Sequence, residues 1–236
     1  MVSAKVYVIT PMFKAMFKGG NVMFPKEIER IISGLQYTKD KVGCSGDEVY
    51  LFENKFVLKV STDSLRLQRE KERNDWISQY IPGPKSICYL NENNKHYYFR
   101  TFLVGESLIS PRLLGNPQEL TDILVDVVKK LRSLDDKACP FASSDNFGTD
   151  FVHGDLCLPN IYINANNEFV GFIDLDNSGL GDKWYDYAWL LWSMEYNLKT
   201  ARFNEVLLDK LGISFNKEKY EKYLPLENRK QLKSNE

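Results

Sequence analysis

The rhythm of hydrophobic and polar positions changes along this chain, and each change predicts a different element. In "FPKEIERIISGL", Ile28, Ile31, Ile32 and Leu35 recur at helical spacing, with Pro25 suited to the first turn. Over 37–60 the period shortens, and "DEVYLFENKFVLKV" predicts two strands joined by a turn at Glu53 and Asn54. A helix is expected over about 63–80, stopped by "IPGP", and strands near 86–90 and 96–102 flank the turn "NENN". Past Gly105 the texture becomes helical. "PQELTDILVDVVKKLRSL" puts Leu120, Ile123, Leu124, Val127, Val128 and Leu131 on one face. A short hairpin around 164–167 and helices near 183–197 and 200–211 follow, with Gly212 as the stop signal. A strand-rich first part, a crossing near Gly105 and a mostly helical second part predict an α+β fold in two lobes. The cleft between such lobes is a natural ligand site.

Composition narrows this picture without naming a reaction. The 236 residues can bury a substantial core, and 43% hydrophobic with 27% charged residues is ordinary for a globular protein. A net charge of -1 argues against a nucleic-acid partner, which would ask for a basic excess. The apolar run in "MVSAKVYVIT" is too short for a signal peptide or membrane span, so a cytoplasmic protein is expected. Cys44, Cys88, Cys139 and Cys157 are far apart, and with only His96 and His153 available no structural zinc site is expected. The last residues, "ENRKQLKSNE", read as a solvated tail.

Candidate chemistry concentrates where strands end. In "FVHGDLCLPNIYI", Asp155 and Asn160 are five residues apart, and "GFIDLDNSG" adds Asp174 after a buried apolar run. Two acids and an amide in this order suit magnesium, which takes oxygen ligands and completes its shell with water and substrate phosphates. Asn160 and Asp174 would hold the metal while Asp155 accepts the proton of an attacking hydroxyl. Gly43 and Gly46 in "VGCSGDEVYLF" lie between strands and suit either a phosphate cradle or a bare hairpin turn. Lys59 in "FVLKV" needs a partner if buried, Glu70 being the candidate; on the solvent face of an edge strand it needs none. In "GDKWYDYAWLLW", Asp182 suits a helix cap and Asp186 a buried acceptor supporting the His153-Gly-Asp loop.

Gly43-Cys-Ser-Gly46, Lys59, Glu70, His153-Gly-Asp155, Asn160 and Asp174 come in the order of protein-kinase-like enzymes. "HGDLCLPNIYI…GFIDLDNSGLGDKWYDYA" and "LLDKLGIS" resemble the aminoglycoside phosphotransferases, the 3′-phosphotransferases in particular. The resemblance implies a two-lobed protein-kinase-like fold, with an antiparallel-sheet nucleotide-binding lobe over 1–103 and a helical catalytic lobe over 104–236. It implies ATP and Mg2+ as cofactors and transfer of the γ-phosphate to an aminoglycoside hydroxyl, which would confer antibiotic resistance. By position, Asp155 is implied as catalytic base, Asn160 and Asp174 as magnesium ligands, and Lys59, held by Glu70, as the contact to the α- and β-phosphates. Gly43, Ser45 and Gly46 resemble the loop over the phosphates, and Thr101 and Leu103 the hinge that reads adenine. Val57 stands where some members stack an aromatic ring, and His153 and Asp186 are implied as structural support.

The departures all concern the acceptor. Only the eleven residues 142–152 separate "ACPF" from His153, where the family carries a longer helical insert. "IDLDNSG" has Asn177 where an arginine is usual, and the aromatic, acidic ending is missing. Glu195 and Glu205 remain as acidic contacts to a cationic sugar. Two alternatives follow: a kinase of another small alcohol or amino sugar, or a kinase-like nucleotide-binding module without turnover.

Overall fold

The computed structural model describes residues 23–40, 47–135, 137–143, 147–225, 227, 228 and 232. Its first half is an antiparallel sheet of β1 (Tyr37–Asp40), β2 (Glu48–Phe52), β3 (Phe56–Ser61), β4 (Ser86–Glu92) and β5 (Lys95–Thr101), in the order β1-β2-β3-β5-β4. Alternation along the strands makes two different faces. Tyr50, Phe52, Leu58, Val60, Tyr97 and Phe99 form one, packed with Phe24 and with Ile28 and Ile32 of α1 (Lys26–Ile32). Val57, Lys59, Tyr98 and Arg100 share the other, which faces α2 (Ser64–Ile77) and the second lobe. The tight turns take positive φ at Glu53 and Asn54 between β2 and β3 and at Asn93 and Asn94 between β4 and β5, where the asparagines tolerate it best. Asp63 caps α2 by accepting from the Leu65 and Arg66 amides.

The chain crosses between lobes through Gly105, where a Cβ would lie 2.6 Å from the Ile163 carbonyl oxygen. The crossing strand β6 (Glu106–Ser107) then pairs with β8 (Ile161–Ile163), itself paired with β9 (Phe169–Phe172). A second small sheet joins β7 (Asp150–Val152) to β10 (Gly179–Gly181). Around them pack α3 (Pro111–Leu114), α4 (Pro117–Arg132), α5 (Trp184–Leu198), α6 (Arg202–Leu211) and α7 (Lys217–Tyr223). The apolar face read from α4 is buried throughout, against Leu156, Leu158, Ile161, Ile163, Phe172 and the aromatic length of α5. Gly212 ends α6 with φ +67.

Some expectations need correction. α1 is only seven residues long, so Pro25 sits at its cap, Leu35 falls beyond its end, and Ile31 is exposed. A short helix docking by Ile28 and Ile32 leaves no room for a wider apolar stripe. The described part of the tail is not solvated at Asn228, which is buried and whose carbonyl accepts the Trp192 indole N–H at 3.0 Å. No helix among the described residues is long and apolar enough to cross a membrane.

Candidate active site

Lys59 sits on the cleft face of β3 and is buried, which removes the solvent-face alternative. Its Nζ lies 2.6 and 2.7 Å from the two carboxylate oxygens of Glu70 on α2, and 2.5 Å from Asp174 Oδ1 in the second lobe. Burial works against the ammonium, but the Asp174 and Glu70 carboxylates outweigh it and raise the Lys59 pKa. Burial also pushes the Glu70 carboxyl up; Lys59 opposes that push and Asp174 adds to it. One ammonium therefore faces two carboxylates, and the charges of Arg100 on Glu70 and of Arg66 on both carboxylates add to the balance.

The loop carrying Asp155 leaves β7 at His153 and Gly154. Gly154 has φ +83, and a Cβ there would lie 2.5 Å from the Asn177 carbonyl oxygen, so the bend requires glycine. The loop is held from below by Asp186 in the first turn of α5, which accepts the backbone N–H of His153 at 2.7 Å and of Gly154 at 3.0 Å. Burial pushes the Asp186 carboxyl up, opposed by the Arg132 and His153 charges and these two donors. Arg132 of α4 spans the site, donating to the Phe151 carbonyl at 2.5 Å with Asp186 at 3.7 Å. Asp182 is not the cap of α5, which is Lys183; it lies one residue earlier and accepts from the Trp184 amide at 3.0 Å.

Asn160 ends a 3-10 turn, Leu158–Asn160, and its Nδ2 donates to both the carbonyl and Oδ2 of Asp155 at 3.0 Å. That orientation turns the amide oxygen away from Asp155. The Asn160 carbonyl accepts the Ile173 amide at 3.0 Å, tying this loop to the residue before Asp174. Asp174 itself takes φ +59, a left-handed conformation that aspartate tolerates better than most residues. An aspartate oxygen and an amide oxygen, held on neighbouring backbones, fit a hard cation such as Mg2+.

A second link between the lobes was not foreseen. Arg66 of α2 reaches Asp176 at 3.2 Å and Asp47 at 2.9 Å, and Arg73, two turns on, donates to the Ser178 carbonyl at 2.6 Å. The loop after Asp174 is thus clamped to the helix that carries Glu70. The spacing of Arg66, Arg69 and Arg73 along one helical face was the available signal.

The remaining expected residues separate. Val57 is buried two residues from Lys59, on the same face. Thr101 ends β5, and its carbonyl accepts Arg100 Nη1 at 3.3 Å. Leu103 is buried, its side chain close to Gly171 of β9. Gly43, Ser45 and Gly46 lie outside the described residues. Glu195 is on the last turns of α5, where its carboxylate accepts from Asn204 of α6 at 3.5 Å, and Glu205 is exposed on α6.

Residues 147–225 match the phosphotransferase enzyme family. The match covers β7, the Asp155 loop, Asp174 and α5 to α7. Over more of the chain, the protein is similar to the aminoglycoside phosphotransferases. It is 27% identical to a probable aminoglycoside 3′-phosphotransferase of Lactococcus lactis, across 66% of this chain and 75% of that one. It is 24% identical to the aminoglycoside 3′-phosphotransferase of Enterococcus faecalis, across 85% and 96%. Among solved structures, aminoglycoside phosphotransferase APH(3″)-Id of Streptomyces rimosus superposes with a TM-score of 0.70 at 18% identity, covering 88% of this chain and 95% of that one. The aminoglycoside-3′-phosphotransferase of type VIII gives 0.68 at 18% identity, covering 89% and 97%. The fold is that of these kinases, two-lobed and α+β.

Proposed function

We propose that this chain transfers the γ-phosphoryl group of a magnesium-bound purine nucleoside triphosphate to a hydroxyl of an aminoglycoside, and so inactivates the antibiotic in the cytoplasm. The observation that carries the reading is the convergence of Lys59, Glu70 and Asp174 across the cleft, beside the bonded pair Asp155 and Asn160. The similarity to 3′-phosphotransferases supports the acceptor class, and ATP is the donor implied by the sequence resemblance. Structural neighbours hold ADP with streptomycin in one complex and GDP with kanamycin in another, so the donor base is a question for this chain's own residues.

In this reading the lobe over 1–103 binds nucleotide and the lobe over 104–236 performs transfer. Lys59 neutralises the α- and β-phosphates while Glu70 fixes its position. Asn160 and Asp174 would hold Mg2+, which would supply positive charge against the phosphates. Asp155 orients the acceptor hydroxyl and takes its proton; Asn160 Nδ2 keeps that carboxylate in one rotamer. Asp186 and His153 support the loop, Thr101 and Leu103 contact the base, Val57 covers it, and Gly43, Ser45 and Gly46 close over the phosphates. Loose in-line transfer asks the protein mainly for positioning and charge neutralisation, which these residues supply.

The test is mass spectrometry of kanamycin- and neomycin-type aminoglycosides, an analogue lacking the 3′-hydroxyl, simple amino alcohols and sugars, each incubated with protein, Mg2+ and nucleotide. One added phosphate on the antibiotics, absent from the deoxy analogue and with Asp155→Asn, is expected. A second reading, phosphorylation of another small alcohol, is favoured by the short segment 142–152. Product on an amino alcohol or sugar alone would select it.

A further inference from the structure

Arg100 lies on the cleft face of β5, in register with Val57 of β3, and only 4% of it is exposed. The next pair on this face is Lys59 with Tyr98. Arg100 therefore sits two residues, about 7 Å along the strand, from the lysine row and toward Thr101 and Leu103. In a nucleotide-bound cleft that offset would set it past the phosphates, toward the base. Its Nη1 donates to the Thr101 carbonyl at 3.3 Å and its Nε has no partner; no carboxylate among the described residues forms an ion pair with it, although its charge acts on the Glu70 carboxyl and the Lys59 ammonium. Its charge is felt on the second lobe: burial pushes the Tyr162 phenol on β8 up, and the Arg100 charge opposes the push.

A buried guanidinium whose Nε donor has no acceptor is costly unless something arrives to accept from it. The acceptor here must be part of a ligand seated under Val57 and beside Thr101. We infer that Arg100 reads the nucleotide base and favours a purine carrying a 6-oxo group, guanine or hypoxanthine, over adenine. The inference rests on the nucleotide-dependent reading of this cleft. A guanidinium fork matches the O6 and N7 acceptors of a 6-oxopurine. Adenine instead presents a 6-amino donor there, opposite the guanidinium donors, and the Thr101 carbonyl that would accept it already holds Nη1.

The test is calorimetric binding of GDP, IDP and ADP, each with Mg2+, to the full chain without any acceptor. IDP isolates the 6-oxo group, because hypoxanthine lacks the 2-amino group of guanine. GDP and IDP should both bind about 10-fold or more tightly than ADP, and Arg100→Met should remove most of that ratio. ADP binding as tightly as GDP in the unaltered chain would overturn the inference and leave the nucleotide reading standing. A guanine preference that survives in a folded Arg100→Met would overturn the assignment to Arg100. No binding of any of the three would fail the nucleotide reading itself.

Discussion

Lys59 Nζ and Asp174 Oδ1 lie 2.5 Å apart across the cleft, one on the central strand of the sheet and the other at a left-handed turn of the second lobe. Glu70 shares the same ammonium, so the two carboxylates compete for one cation. Incoming phosphates would take Lys59 from Asp174 and release that carboxylate toward Mg2+. The buried contact thus holds the proposed metal ligand in place, while the arginine clamp at Asp176 and Ser178 keeps its loop close to α2.

Asp174→Asn separates the two jobs. Asparagine tolerates the φ of +59, so the turn should survive where alanine would strain it. Without nucleotide, the variant loses the Asp174 attraction that helps raise Lys59 and is relieved of the repulsion that helps raise Glu70, two opposed effects that should leave stability little changed. Magnesium-nucleotide should then stabilise the variant far less than the native chain. Thermal melts with and without the nucleotide read both effects; an undiminished nucleotide shift would remove Asp174 from the metal site.

Lys59→Met leaves Glu70 buried without its cation. Breaking such a pair costs about 3–5 kcal/mol at neutral pH. The pH dependence follows from the direction of the Glu70 shift. A carboxyl raised in the folded state keeps its proton longer than in the unfolded chain, so its penalty is absent below the ordinary value of 4.5 and grows as pH rises toward the folded value. The variant should lose more stability than the native chain between pH 5 and pH 8, and adding Glu70→Gln should restore most of it. Urea midpoints at the two pH values decide; a pH-independent deficit would mean that Glu70 is not the group left stranded.

Asp155→Asn keeps an oxygen to accept from Asn160 Nδ2, so the loop should retain its shape. Turnover should fall by about 10²–10⁴-fold, the usual loss of a general base, with nucleotide affinity unchanged. Steady-state rates beside nucleotide titration provide the comparison. Near-native turnover in this variant would mean that another group takes the hydroxyl proton.

Much of this site was legible because its residues break the pattern around them. Lys59 interrupts an apolar strand, and Asp155, Asn160 and Asp174 stand where apolar runs stop. Arg100 breaks the run "HYYFRTF" in the same way as Lys59 breaks "FVLKV", yet only the pairing of β5 with β3 places it beside Val57 in the cleft. The Arg66–Asp176 and Arg73–Ser178 links were less accessible still. Their partners lie over one hundred residues apart, and local periodicity carries no information about which helix face meets which loop. The mistaken reading of α1 came from counting Ile31 into a stripe that so short a helix does not need.

Asp186 is the support on which the Asp155 loop rests, and its removal should act on both folding and rate. Its two oxygens accept the His153 and Gly154 amides inside the protein, with no solvent to replace them. Asp186→Ala strands both donors, at about 1–3 kcal/mol each, and takes from Arg132 one of its two neighbouring carboxylates, leaving Asp135 at 3.5 Å. Asp186→Asn keeps one acceptor oxygen and should fall between. Because the loop sets where Asp155 points, turnover should drop in the same order as stability, while nucleotide still binds through Lys59 and Asp174. Melting temperature, turnover and nucleotide affinity measured on the pair test this. A large loss of nucleotide affinity at retained stability would place Asp186 in the binding site itself rather than beneath the loop.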